Sequence, residues 1–330
     1  MADLLDLFRA LGDPTRLRII ALLRQLELAV GELAVVLEQS QPRVSRHVRI
    51  LIEAGLVDRR KEGSWVFLRL ADQGTAAALV ALADSHSLSE RERAAIAHDK
   101  RRLAAVREER MAAAARYFAQ HASEWDAIRS RHADEADVES AMLRLMHNRR
   151  LGHLLDIGTG TGRMAEIFGG TARKITALDR SPEMLRIARG KLAEMRLPVE
   201  LVQGDFYALP LADNSVDTVV MHQVLHFAQD PDRVIAEAAR VLRGGGHLLI
   251  VDFAPHDHEE LRSAAAHARL GFSDAQIRGW FASRGLISEA VQTLAADDLT
   301  VKIWLGRRRS GETGETLGSG AADPNRSKAA

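Results

Sequence analysis

Glycine recurs at every second position of Gly158-Thr159-Gly160-Thr161-Gly162, directly after the apolar run Leu154-Leu155-Asp156-Ile157. Bare backbone at the end of a strand lets a flat ligand approach closely, and sheets of alternating strands and helices bind ligands there. A second apolar run closes on Asp179, 23 residues past Asp156, where a carboxylate accepts both hydroxyls of a ribose. Gly204-Asp205-Phe206, after a third run, offers a carboxylate to an adenine amino group and a ring to its face. The dinucleotide fingerprint needs one more glycine three residues past the second, and Arg163 stands there. A nucleoside fits this pattern, and nothing in it demands a diphosphate.

A different chemistry sits near the N-terminus. Between Arg43 and Lys61 there are six Lys and Arg side chains against two acidic ones, although the whole chain of 330 residues balances 45 basic against 45 acidic. The basic footprint is therefore local, as for a protein that reads nucleic acid with one face. No cysteine occurs, which excludes disulfides, thiolate metal sites and cysteine nucleophiles. No stretch reaches the ~18 apolar residues of a membrane span, and the first residues include Asp3 and Asp6 rather than a basic leader. The expected location is the cytoplasm.

The elements that must hold these residues follow from periodicity. Leu4–Leu11 and Arg16–Leu26 carry helical apolar spacing, separated by the stop and cap Gly12-Asp13-Pro14-Thr15. Val30–Leu37 reads as a third helix, and Ser40-Gln41-Pro42 starts a fourth. In that fourth helix Val44, Val48, Leu51 and Ile52 form the inner stripe, leaving Gln41, Arg43, Ser45, Arg46, His47 and Arg49 for phosphates and base edges. A hairpin follows, with Arg59, Arg60 and Lys61 on its first strand, placed to lie along the DNA backbone as a wing. From Gly74 to about Arg116 the chain is rich in Ala, Arg and Glu and favours long helices. Three aromatics, Tyr117, Phe118 and Trp125, then cluster within nine positions. They are either ordinary helix packing or a cover over the nucleoside site in which Tyr117 or Trp125 closes on the ligand.

Beyond Leu151 strands and helices alternate: strands at 153–157, 175–178, 199–202, 216–221 and 247–251, helices from 163, over 182–195 and over 232–242, then a closing antiparallel pair at 286–294 and 299–305. That order predicts a parallel, doubly wound sheet. The expected division is a winged helix-turn-helix over 1–85, a helical connector and lid over 86–150, an α/β domain over 151–309, and a disordered tail rich in Gly, Ser and Thr over 310–330.

Over roughly the first hundred residues the chain resembles the ArsR/SmtB family of winged-helix regulators, in Phe8 to Ile19, in Gln41-Pro42-Arg43-Val44-Ser45-Arg46-His47-Val48, and in Gly55-Leu56-Val57 with Arg60-Lys61-Glu62-Gly63. The resemblance implies a homodimer on a palindromic operator. Where metal sensors of the family carry cysteines, Ala34 and Val36 stand here. Asp84-Ser85-His86 is similar to a zinc motif of other members, but His98 is one residue out of step with the usual partner, about 100° around a helix. No resident metal is expected.

Over 151–306 the chain resembles class I S-adenosylmethionine-dependent methyltransferases, especially those similar to ubiquinone and menaquinone methyltransferases. The matching runs are Leu155 to Gly162, Asp179-Arg180-Ser181-Pro182-Glu183-Met184-Leu185, Gly204-Asp205 with Leu209-Pro210, Asp213 to Asp217, His222-Gln223-Val224-Leu225-His226-Phe227 and Leu242 to Gly246. By that resemblance Asp156 and Gly158 approach the methionine amino group, Asp179 holds the ribose, Asp205 and Phe206 the adenine, and His222 lies beside the sulfonium. Thr159, Gly160, Gly162, Arg180 and Met184 belong to the same expected cofactor set. The implied cofactor is S-adenosylmethionine, with S-adenosylhomocysteine as product and a small molecule as methyl acceptor. Where an acceptor needs deprotonation, His222, His226 and His256 are the candidate bases. The missing thiolates count against arsenite as acceptor. The run after the fourth strand lacks the Pro-Pro-aromatic motif of amino-methylating DNA enzymes. Two readings remain open: an enzyme under the same roof as a regulator, or a regulator that uses the methyltransferase fold to sense S-adenosylmethionine or S-adenosylhomocysteine.

Overall fold

The computed structural model describes residues 4–62, 65–71, 90–129, 135–193, 199–295 and 298–310. The first part of the helical stretch expected from Gly74 to about Arg116, up to residue 89, the Asp84-Ser85-His86 motif and the tail after 310 lie outside them. The first unit comprises α1 (Leu4–Leu11), α2 (Pro14–Leu23), β1 (Leu28–Ala29), α3 (Val30–Leu37), α4 (Gln41–Glu53) and the hairpin β2 (Val57–Glu62) and β3 (Trp65–Leu70). Helix α2 starts earlier than its apolar periodicity suggests. The cause is Asp13, whose Oδ1 accepts from the backbone N–H groups of Thr15 (2.8 Å) and Arg16 (3.1 Å), with Pro14 in the first turn. Strand β1 pairs antiparallel with β3, Leu28 opposite Leu68, and is too short to show an alternation in the sequence.

A 32-residue helix α5 (Glu90–His121) joins the halves, and α6 (Trp125–Arg129) follows after a single 3-10 turn. Its first part belongs to the DNA-reading unit: Leu103 is buried in the same core as Ile19, Leu33, Val44, Leu51 and Leu68. Arg18 clamps the buried Asp99, Nε to Oδ2 at 2.6 Å. Helix α7 (Glu135–Met146), within the expected connector, instead packs into the sheet, Val138, Ala141, Met142 and Met146 lying against Leu154 and Ile175.

The second unit runs β4 (His153–Ile157), α8 (Arg163–Phe168), β5 (Lys174–Asp179), α9 (Pro182–Leu192), β6 (Val199–Gln203), β7 (Val216–His222), α10 (Pro231–Val241), β8 (Leu242–Phe253), α11 (Glu260–Ala264), α12 (Asp274–Ser283), β9 (Leu286–Leu294) and β10 (Val301–Arg308). The seven strands lie in the order β6-β5-β4-β7-β8-β10-β9, parallel from β6 to β8, with β10 antiparallel to both of its neighbours. The sheet is thus the expected doubly wound one with an antiparallel closing pair. The direction of winding reverses between β4 and β7, and their carboxyl ends open a crevice there. Strand β8 begins five residues before its expected start at His247, running through the glycines from Leu242. Helix α12 escaped the sequence reading; the reciprocal cap of Ser273 and Gln276 marks its start.

Candidate nucleoside pocket and DNA-reading face

At the switch point β4 ends in Ile157 and the chain turns through Gly158 (φ 70°) and Gly160 (φ 53°). A Cβ on Gly158 would come within 2.2 Å of the Val224 side chain, so only glycine lets the turn close against the loop after β7. The turn is pinned to the neighbouring strand, Gly158 and Thr159 both donating to the Leu178 carbonyl at 2.8 and 2.9 Å. Asp179, one residue on, receives the N–H of Gly160 on Oδ2 and that of Ser181 on Oδ1, each at 2.8 Å. Burial pushes its carboxyl up, and those backbone donors pull it back. The carboxylate is therefore fixed in place at the cavity wall before any ligand arrives.

The cavity at this point has a volume of about 210 Å³ and brings together most of the expected cofactor set: Gly158, Thr159, Gly160, Asp179, Arg180, Met184, Asp205, Phe206 and His222. Asp205 is held by the Tyr207 N–H on its Oδ1 at 2.9 Å, and Phe206 meets Tyr207 edge-on. Trp125 lines the cavity above Gly160. Three expected residues stand elsewhere. Asp156 is buried beneath the floor and Gly162 packs on Leu192, neither lining the cavity. Tyr117 packs against His121, their tilted rings 4.3 Å apart, and its neighbour Phe118 takes the place at the wall. A helix puts adjacent residues about 100° apart, so only one of the two can face the ligand. Phe118 meets Phe227 at 4.8 Å and Trp125 at 5.4 Å, closing an aromatic cover.

The three candidate bases differ sharply. His222 lines the cavity. His226 lies behind Phe227, its Nδ1 2.8 Å from Oδ1 of the wholly buried Asp252, which also accepts the His226 N–H on Oδ2 at 3.1 Å. His256 is outside the cavity, and burial followed by the charges of His258 and His226 lowers it to about 4.

Sequence reasoning passed over three wall residues. Gln223 adopts a left-handed conformation (φ 51°), is buried, and its Nε2 has no hydrogen-bond partner among the described residues. Its signal was strain at a non-glycine residue, which sequence does not display. Arg110 reaches across the halves, donating to Glu32 at the start of α3 and to Gln229 of the methyltransferase-like unit while lining the cavity. Glu32 spends its other oxygen on the Ala29 N–H at 2.8 Å, the cap of α3. Arg163, where the dinucleotide pattern wanted glycine, forks onto Glu139 of α7 at 2.6 and 2.7 Å.

On α4, Gln41, Arg43, Arg46 and Arg49 are exposed, with Ser45 and His47 half-buried and Val44, Val48 and Leu51 inside. Arg59 and Lys61 are exposed on β2. Arg60 points the other way, placing Nε and a terminal nitrogen 3.0 and 2.8 Å from Oε2 of Glu27 and its guanidinium 5.3 Å over Phe67. Alternation along a strand puts residue 60 opposite to 59 and 61, which accounts for the difference. His98 lies 3.2 Å from Glu38. Among the described residues no group of three or more His, Asp or Glu could hold a metal, and no helix is long and apolar enough to cross a membrane.

Residues 13–59 match the model for bacterial regulatory proteins of the arsR family, and residues 155–250 match that for a methyltransferase domain. The chain is 50% identical over 68 residues to the arsenical resistance operon repressor of Escherichia coli, covering 20% of this chain and 58% of the relative. It is 40% identical over 112 residues to a phosphatidylethanolamine N-methyltransferase of Cereibacter sphaeroides (33% and 55%) and 34% identical over 101 residues to a demethylmenaquinone methyltransferase of Renibacterium salmoninarum (31% and 41%). It spans about half the length of the curated relatives it matches. Among solved structures, the Haloferax volcanii protein in complex with the Trm112 methyltransferase activator is similar in fold, with a TM-score of 0.50 at 24% identity over 58% of this chain and 97% of that one.

Proposed function

We propose that this chain, which joins an ArsR-family helix-turn-helix to a class I methyltransferase domain, is a DNA-binding transcriptional regulator whose second half binds S-adenosylmethionine and methylates a small molecule. The observation that carries the reading is Asp179, held by two backbone donors at the switch point and facing the Asp205–Phe206 pair across one cavity. The residues fit the cofactor: two carboxylates suit ribose and adenine, bare backbone at Gly158 and Gly160 admits the amino-acid end, and the buried Thr159 Oγ1 and Gln223 Nε2 lack partners among the described residues. Bound S-adenosylmethionine supplies a methyl group on a sulfonium, already activated toward in-line displacement by an acceptor lone pair. The protein's contribution is then to position and to exclude water, which the Phe118–Trp125–Phe227 cover does. His222, at the cavity wall, is the best placed of the three histidines to take a proton from the acceptor.

The DNA-reading half is expected to act as a homodimer on a palindromic operator, since one recognition helix covers too little DNA for tight specific binding. The exposed Leu5, Phe8 and Leu17 give α1 and α2 an apolar outer face for such pairing. A second reading, in which the methyltransferase fold senses S-adenosylmethionine or S-adenosylhomocysteine without turnover, is favoured by Arg110, which touches the cavity and the DNA-reading half at once.

Calorimetry with the two nucleosides tests both readings. Binding of each is expected, with Asp179→Ala abolishing it while ligand-free operator binding persists. Failure of either nucleoside to bind the wild-type chain refutes the cofactor assignment. Incubation with labelled S-adenosylmethionine and a cell extract separates enzyme from sensor by whether label enters a small molecule.

A further inference from the structure

Asp126, at the start of α6, is bonded to parts of the chain far from its own helix. Its Oδ1 accepts the Thr161 hydroxyl at 2.6 Å and its Oδ2 pairs with the Lys191 ammonium in the last turn of α9, partners 35 and 65 residues away. Thr161 belongs to the glycine turn, is only 2% exposed and does not line the cavity. The same turn donates the Gly160 N–H to Asp179. Next to Asp126 in the chain stands Trp125, whose indole nitrogen lies so near the turn that a Cβ on Gly160 would come within 3.2 Å of it. The Trp125 ring meets Phe118 at 5.4 Å and Phe227 at 6.3 Å. One carboxylate thus ties the aromatic cover to the turn beneath it.

The two ties differ in strength. The side chains of Lys191 and Asp126 are 35% and 48% exposed, so solvent screens that pair and it contributes little. The Thr161 hydroxyl is sheltered, and its 2.6 Å contact with a carboxylate falls in the short, charge-assisted range. We propose that Asp126 is a positioning residue of the nucleoside pocket, a clasp that holds the aromatic cover down on the glycine turn and so sets how long a bound nucleoside stays. This inference rests on the reading of the cavity as an S-adenosylmethionine site. Movement of Trp125 off the turn carries its neighbour Asp126 away from Thr161, so opening the cover costs the buried hydrogen bond, and a chain without that bond releases its ligand sooner.

The probe is labelled S-adenosylhomocysteine bound to the full chain, its release followed after a chase with unlabelled ligand. Asp126→Ala and Thr161→Val are each expected to speed release about tenfold, the loss of one hydrogen bond to a charged group. The double variant should be no faster than either single one, because both substitutions remove the same link. Asp126→Asn keeps an amide oxygen for the Thr161 hydroxyl and should recover most of the loss. Hydrogen exchange without ligand gives a readout that a generally weakened fold would not: amides of residues 117–129 should exchange faster in Asp126→Ala and Thr161→Val while those of β4 and β5 keep wild-type rates. Should Asp126→Ala fail to fold, Asp126→Glu, which displaces the carboxylate by one methylene, is expected to speed release severalfold. Release at the wild-type rate in these variants overturns the clasp, as do additive effects in the double variant or exchange quickened throughout the sheet. A wild-type chain that binds no S-adenosylhomocysteine refutes the cofactor reading itself and the positioning role with it, whereas binding with unchanged release refutes the clasp alone.

Discussion

Replacing Arg110 by Met tests whether the nucleoside pocket and the DNA-reading half communicate. Methionine keeps an apolar stem against the cavity wall and removes the fork that joins Glu32 to Gln229. The Arg110 and Glu32 side chains are 19% and 20% exposed, so solvent screens the pair less than it would on an open surface. A hydrogen bond to a charged group is worth about 1.5–3 kcal/mol, and the substitution removes two links at one point, one of them to a neutral amide. If those links carry the communication, the coupling free energy between nucleoside and operator, about 1–3 kcal/mol in allosteric systems and hence about 5- to 150-fold in affinity, should collapse toward zero. The assay is operator titration with no ligand and with S-adenosylmethionine or S-adenosylhomocysteine at saturation. Because coupling is the ratio of operator affinities with and without ligand, a weaker nucleoside site in the variant does not distort it once saturation is reached. Two ligands that differ only in methyl and charge can shift the DNA-competent state unequally only if the protein feels that difference. A wild-type ratio different from one that is unchanged in both Arg110→Met and Glu32→Gln refutes this route. A wild-type ratio of one for both ligands removes the sensing reading altogether.

Three further outcomes follow from the geometry. Arg46→Ala should cost about 1–3 kcal/mol of operator affinity if that residue reads a base, and Arg59→Ala should weaken all DNA sequences and flatten the salt dependence; Arg60→Ala should leave the salt slope alone and lower the unfolding temperature, because Arg60 faces Glu27. Gln223→Gly should raise thermal stability by about 1 kcal/mol through relief of its left-handed backbone while weakening nucleoside or acceptor binding, a combination that a merely structural residue would not produce. His256, lowered from 6.5 to about 4, binds its proton more weakly folded than unfolded, so it contributes stability that is complete above about pH 6.5 and is lost as pH falls toward 4; His256→Gln should flatten the denaturation profile in that window, and an unchanged profile would show that another group governs it.

How far the sequence revealed these features depended on whether the deciding interaction was local. The recognition helix, the glycine turn and Asp179 were legible because a cap, a φ constraint or a strand end fixes each within a few residues. The doubly wound parallel sheet and its antiparallel closing pair were legible because alternating strands and helices leave few ways to wind a sheet; the order of the strands was left to the structure. Arg60 was misread because its neighbours share its charge, although strand alternation turns it away from Arg59 and Lys61; what it meets there, Glu27, is 33 residues away in the chain. Tyr117 and Phe118 differ by one helical step, which composition cannot resolve. Arg110 is one arginine among many in α5; its role exists only where that helix crosses both Glu32 and Gln229. Helix α5 shows why: its early residues Asp99 and Leu103 serve the DNA-reading core, and its later residues Arg110, Met111 and Phe118 serve the cavity.

The composition of the seam bears on what the two halves can do together. A joint built from Leu and Phe would lock the domains, since every displaced apolar surface costs about 25 cal/mol per Å². Here the joint is made of arginines: Arg60, Arg262 and Arg269 lie 5.3, 5.4 and 5.7 Å from the Phe67 ring, two of them sharing Glu27. Cation–π and ion pairs at partly exposed sites are each worth about 0.5–2 kcal/mol and can be exchanged for water or for another anion. Small changes in the pocket or seam therefore have an energy scale comparable to the coupling a regulator needs. Phe67 is the element on which that argument converges. Phe67→Leu keeps the wing strand's apolar face and removes the ring that three guanidiniums share, so it should shift the balance between seam-bound and released wing. The expected result is a change in ligand-free operator affinity with the nucleoside affinity of the isolated pocket untouched; parallel changes in both would mean that Phe67 acts on the fold as a whole and that the seam is not adjustable.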